Sequence, residues 1–132
     1  LATAAIDVRV PAMADAARVD AAMRALTPEL PGVSVEVRGG IDRPPLERTP
    51  AVIRLYEQAR IVAAELGRAL GEGSTGGGSD GNFTAALGVP TLDGLGAVGD
   101  GAHARHEHVV LADLAWRAAL LAGLVHRLGT AG

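Results

Sequence analysis

Residues 3 to 10, TAAIDVRV, alternate, with Ala4, Ile6, Val8 and Val10 on one face and Ala5, Asp7 and Arg9 on the other. A period of two predicts a half-buried strand. Pro11 closes it, and from Met13 to Leu26 the apolar positions Ala17, Val19, Ala22, Met23 and Leu26 recur at helical spacing. That pattern predicts an amphipathic helix. Pro28, Pro31 and Gly32 end it, and VSVEVR from Val33 to Arg38 alternates again with Val33, Val35 and Val37 inward. The unit reads as strand, helix, strand.

Residues 39 to 50, GGIDRPPLERTP, are dense in glycine and proline. This composition shift predicts a linker and a domain boundary near Pro45. Thr49 before Pro50 is a helix start: the hydroxyl caps a free amide, and proline takes the first helical position, where its missing N–H matters least. The helix is expected to run from Pro50 to about Leu66, with Val52, Tyr56, Ala59, Ala63 and Leu66 on its apolar face and Gly67 as its stop. Residues 71 to 81, GEGSTGGGSDG, are glycine-rich but bounded by structured segments, so they read as an ordered loop. Ser79 or Asp80 is placed to cap a short helix through about Leu87, ended by Gly88. VPTLDGL from Val89 to Leu95 predicts a short buried strand, and residues 96 to 108 a Gly/His-rich loop. Ala112 to Leu128 predict a last helix, with Leu114, Ala118, Leu121, Val125 and Leu128 on one face. No internal repeat is visible.

Composition narrows the chemistry. All 12 basic residues are arginine and there is no cysteine. This excludes a P-loop lysine, a Schiff base, thiolate nucleophiles and cysteine-ligated zinc, and leaves histidine and carboxylate for any metal. A net charge of −3 without a clustered basic face argues against a nucleic-acid binder. No apolar run approaches the ~20 residues of a membrane span, and no signal-peptide pattern opens the chain. A cytoplasmic, membrane-free protein is expected. The chain begins at Leu1 without an initiator Met and enters the first alternation almost directly, so it is expected to be part of a longer chain.

Three features could carry chemistry. His103, His106 and His108 fall within six residues, beside Asp100 and Glu107. Neutral imidazole is the commonest metal ligand, although an exposed polar loop would look the same. His126, inside the last helix, is assigned no function. The second feature is TGGGSDGNF, Thr75 to Phe83, whose successive amides leading into a helix could cradle a phosphate or carboxylate. Gly76, Gly78 and Gly81 also fit G-x-G-x-x-G, a weak match where glycine is abundant, and a tight turn is the bland alternative. The third is Arg9, either an exposed ion pair with Asp7 or a planar fork for a substrate carboxylate.

Taken together, DVRV at 7 to 10, RPP at 43 to 45, TGGGSDGNFTAALGVPTLDGLG at 75 to 96 and GAHARHEHVV at 101 to 110 resemble the C-terminal third of a known family. It is the zinc-dependent family of glutamate carboxypeptidase, acetylornithine deacetylase, succinyl-diaminopimelate desuccinylase and aminoacylase. The resemblance implies an α/β (α+β) fold: residues 1–45 as the β-α-β end of a ferredoxin-like lid that makes a homodimer, and 46–132 as the end of an α/β catalytic domain holding two zinc ions per intact subunit. It implies that His103 is a zinc ligand, that Arg9 binds the substrate carboxylate, and that backbone at Gly78 and Ser79 approaches the substrate. Glu107 matches the acidic residue of the family's H-x-x-x-E pattern, with no ligand role claimed. Ala104 stands where members often have Ser or Pro, and His108 where they often have an aromatic, which makes His106 and His108 bystanders. The other ligands and the glutamate general base would lie upstream of Leu1.

The expected function is therefore the C-terminal piece of a dizinc exopeptidase or N-acyl-amino-acid amidohydrolase, cleaving a small carboxylate-bearing amide or peptide and inactive by itself. Two alternatives stand beside it: a non-catalytic association module, and an autonomous single-zinc site on His103, His106 and His108.

Overall fold

The structure, a computed structural model, describes residues 1–130. It is a small mixed helix and strand protein, as an α/β piece should be, with elements α1 (Met13–Arg24), α2 (Pro50–Glu65), α3 (Gly81–Ala86), β1 (Gly99–Asp100), β2 (His108–Val109) and α4 (Leu114–Thr130). Two compact units form. One joins Leu1–Glu47 to Thr75–Val89, and the other joins Arg48–Ser74 to the chain from Pro90 onward.

In the second unit α2 begins as its sequence predicts. The Thr49 hydroxyl accepts the Val52 N–H at 3.2 Å, with Pro50 in the first turn. Its end is equally local: Gly67 is left-handed at φ +74°, the Gly67 N–H donates to the Ala64 carbonyl, and the Arg68 N–H donates to that of Ala63. This paired closure needs a residue without a Cβ penalty at the left-handed position. Val62 and Ala63 of α2 pack with Leu120 of α4, and Leu70, Leu95 and Trp116 close around them. Arg127 of α4 donates to Gln58 of α2 at 2.7 Å, and the Tyr56 hydroxyl donates to the Leu70 carbonyl at 2.9 Å.

Helix α4 buries a different face from the expected one. Leu120 and Leu124 are inside, whereas Leu114, Leu121, Val125 and Leu128 are exposed. The helix is apolar nearly all round, so periodicity alone does not choose a side. Gly123 does: a Cβ there would lie 2.6 Å from Val62 Cγ1, so α2 approaches along the glycine.

The strand expected at Val89 to Leu95 is absent. Leu92 is half-buried, Leu95 reaches the core, and Arg117 donates to the carbonyls of Gly94 and Gly96, taking acceptors that a neighbouring strand would have used. The one pairing among the described residues lies where sequence predicts only loop. There β1 and β2 are antiparallel, with Gly99 opposite Val109 and Asp100 opposite His108.

In the first unit only the helices of the expected pattern form. Helix α1 stops at Arg24, and Ala16 is its buried residue, with Val19 and Met23 half-buried. Ala12 offers no side-chain cap, and Glu47 accepts the Met13 N–H at 2.6 Å instead. The segments 3–10 and 33–38 make no strand pairing, and Ile6, Val8, Val33 and Val35 of their apolar faces are exposed. An alternating segment becomes a strand only against a partner edge, and none is supplied among the described residues. Helix α3 follows the glycine segment and ends in the same closure as α2, with Gly88 at φ +82° and the Val89 N–H donating to the Thr84 carbonyl.

Candidate functional site

The residues singled out from sequence fall into two groups, one in each unit. In the first unit, Nε and Nη2 of Arg9 each donate to Asp7 Oδ2 at 3.2 Å, and its Nη1 donates to the Gly76 carbonyl at 2.9 Å. The pair with Asp7 is exposed, as the bland reading requires. The bond to Gly76 is the added fact, because it ties the arginine to the glycine segment 67 positions away.

That segment is less of an amide cradle than expected. The Gly77 N–H donates to Thr75 Oγ1 at 3.3 Å, the Ser79 N–H to Asn82 Oδ1 at 2.9 Å, and the Gly81 N–H to Ser79 Oγ at 3.2 Å. These donors are consumed within the loop, and the half-buried Ser79 hydroxyl is committed to the start of α3. The Gly78 N–H has no acceptor among the described residues. No strand precedes the segment and α3 has only six residues, so the match to G-x-G-x-x-G is not a dinucleotide fingerprint.

Arg43 is the residue that sequence reasoning misses. A Cβ on Gly78 would lie 2.8 Å from both Cδ and Nη1 of Arg43, so the guanidinium rests where a side chain would otherwise stand. Its Cζ is 5.0 Å from the centroid of Phe83, a cation–π contact, and no carboxylate pairs with it among the described residues. Asn82 completes the link by donating from Nδ2 to the Pro44 carbonyl at 2.7 Å. RPP and GGGSDGNF both stand out as motifs, but nothing in their spacing says that they touch.

In the second unit His103 sits in the loop that joins β1 to β2. It is exposed, and among the described non-glycine residues it alone has positive φ, at 65°. The left-handed region costs an ordinary L-residue about 1–2 kcal/mol. The turn around it is closed by the Ala104 N–H donating to the Gly101 carbonyl at 2.8 Å and the Glu107 N–H donating to that of Ala104 at 3.1 Å. Glu107 Oε2 accepts the His103 N–H at 3.3 Å. Gly101 is required twice, by its φ of +75° and by the His106 ring, whose Cδ2 would lie 2.6 Å from a Cβ there.

The three histidines do not make one site. The His106 ring packs on Gly101, and the His108 Nδ1 bonds to the His106 carbonyl at 3.0 Å. Among the described residues no group of three or more His, Asp or Glu side chains could hold a metal ion, so the autonomous three-histidine zinc site is set aside. His103 offers one donor nitrogen. A zinc needs at least two further protein ligands, and the described residues do not gather them. His126 is exposed on α4 and joins neither group. No helix among the described residues is long and apolar enough to cross a membrane.

The glycine loop and its arginines lie in one unit and His103 in the other, and residues 4–127 of the chain match the model of a peptidase family. The chain belongs to peptidase family M20/M25/M40. Membership points to metallopeptidase-type hydrolysis, in a family whose members generally use zinc or other metals. No individual curated protein and no solved structure matches the chain.

Proposed function

We propose that this chain is the C-terminal part of a dizinc metallohydrolase, an exopeptidase or N-acyl-amino-acid amidohydrolase, that cleaves an amide beside a free carboxylate. The match to the peptidase family across residues 4–127 carries this reading. The first unit supports the carboxylate part of it. Arg9 is bonded to the glycine segment, Arg43 rests on Gly78 without an acidic partner among the described residues, and the Gly78 N–H is available. Guanidinium groups meet a carboxylate with two parallel N–H donors, which gives both charge and direction. On this reading Arg9, Arg43 and the Gly78 amide hold the substrate's carboxylate end, and Ser79, whose own N–H is taken by Asn82, shapes the loop beside it.

His103 supplies one zinc ligand. When bound, the zinc pair supplies the Lewis-acid chemistry of amide hydrolysis. On this reading the remaining ligands and the general base belong to the longer enzyme, and the ligands present here do not suffice for turnover by themselves. The division into a lid over 1–45 and a catalytic portion over 46–132, the homodimer through the lid, and a cytoplasmic location without nucleic-acid partners complete the proposal.

The direct test compares an N-acyl-amino acid with its C-terminal carboxamide in the longer enzyme. Removing two charge-assisted hydrogen bonds at once predicts a fall of about 100-fold or more in kcat/KM for the carboxamide. Equal turnover of the two would overturn the carboxylate grip.

A further inference from the structure

Beside the main-chain bonds of the hairpin that carries His103, one side-chain hydrogen bond acts on His103. The register is fixed by main-chain pairing of Gly99 with Val109 and of Asp100 with His108, and the Val110 N–H donates to the Val98 carbonyl at 2.8 Å. The turn is closed by the Ala104 and Glu107 amides, with Gly101 left-handed at its start. None of this needs the Glu107 side chain. Its carboxylate makes one hydrogen bond among the described residues, to the His103 N–H at 3.3 Å. The residue it grips is also, among the described residues, the one non-glycine residue in the left-handed region, at φ 65°. Backbone in a sparsely populated conformation persists where the surroundings over-determine it, and such positions concentrate at functional sites.

We propose that Glu107 is a positioning residue, whose carboxylate clamps the left-handed backbone of His103 and so fixes where its imidazole is presented. The inference rests on the reading of His103 as a zinc ligand. It gives the acidic residue four positions after the histidine a task that needs neither metal ligation nor proton transfer. An acceptor oxygen at that reach is the whole requirement, so glutamine at position 107 serves and alanine does not. Partners that orient a metal ligand in this way typically change metal affinity or activity by about 10- to 100-fold when removed.

The experiment uses the longer enzyme with Glu107→Ala and Glu107→Gln, and reads zinc affinity by chelator competition, kcat and KM separately, and hydrogen exchange at the His103 amide. In Glu107→Ala, exchange at His103 quickens by about fivefold, the worth of one ordinary hydrogen bond. Zinc affinity falls by about 10- to 100-fold, and kcat falls while KM holds. Glu107→Gln stays within about fivefold of the parent on every readout. Unchanged zinc affinity and kcat in Glu107→Ala overturn the proposal, as does a loss in Glu107→Gln equal to that in Glu107→Ala. Failure of the ligand reading shows elsewhere: His103→Ala would then keep both zinc ions.

Discussion

In the second unit two helices bury Val62, Ala63 and Leu120 against each other, with Leu120 only 1% exposed, and each end of α2 is closed by its own residues. In the first unit Ala16 is the one buried residue among those described, while Val8 and Val35 remain 45% and 47% exposed. What holds that unit is polar and long-range in sequence: Arg9 to Gly76, Asn82 to Pro44, Glu47 to the start of α1, and Arg24 to the Gly39 carbonyl at 2.8 Å. The contrast teaches what an apolar pattern can do by itself. A helix satisfies its backbone internally and needs only a second helix for its face, which this chain supplies. A strand needs a neighbour for its backbone as well, and here the valines of 3–10 and 33–38 have none among the described residues.

Truncating one apolar residue in each unit should separate the two units most strongly. Leu120→Ala removes a fully buried side chain and should cost about 2–5 kcal/mol, seen as an earlier denaturant midpoint in the helical signal. Val35→Ala, the matched change in the first unit, should stay within about 0.5 kcal/mol. Similar losses at the two positions would mean that the alternating segments bury more than the structure shows. Thr49→Ala comes next, at about 1 kcal/mol, since it frees the Val52 amide while leaving the α2 packing intact.

Those magnitudes also explain which parts of the fold are legible in the sequence. Helix starts and stops at Thr49, Pro50, Gly67 and Gly88 are readable because the interactions that set them lie within a few residues. The buried face of α4 is not, because it is chosen by Val62 entering at Gly123, a contact 61 positions apart that no local period encodes. The strand expectations fail for a related reason: alternation records which side would be buried and says nothing of whether a partner is present. The candidate site divides the same way. His103 and the glycine segment stand out as residue types in a pattern. Arg43 on Gly78 and Glu107 on the His103 amide are contacts, visible only once the chain is folded.

The smallest expected effect belongs to the exposed ion pairs. The hydrogen bond from Arg24 holds the Asp20 carboxyl below the usual carboxylate range, assisted by the charge of Arg24 and opposed by partial desolvation. The bond from Arg48 does the same to Glu72. A carboxyl whose pKa is lower in the folded state adds stability above its unfolded pKa, and that stability is lost as the pH falls through the folded value. One pair lies in each unit, so through these pairs acid should weaken both units slightly below the ordinary carboxylate range. Melting curves across that range check the sign. Stability that increases on acidification would contradict it.

The zinc part of the proposal depends on His103. Zinc analysis of the longer enzyme before and after His103→Ala, on protein with an unchanged melting curve, tests it most directly. The expected result is two zinc ions per subunit in the parent and fewer than two in the variant, with turnover abolished. Two zinc ions retained at full activity would contradict it.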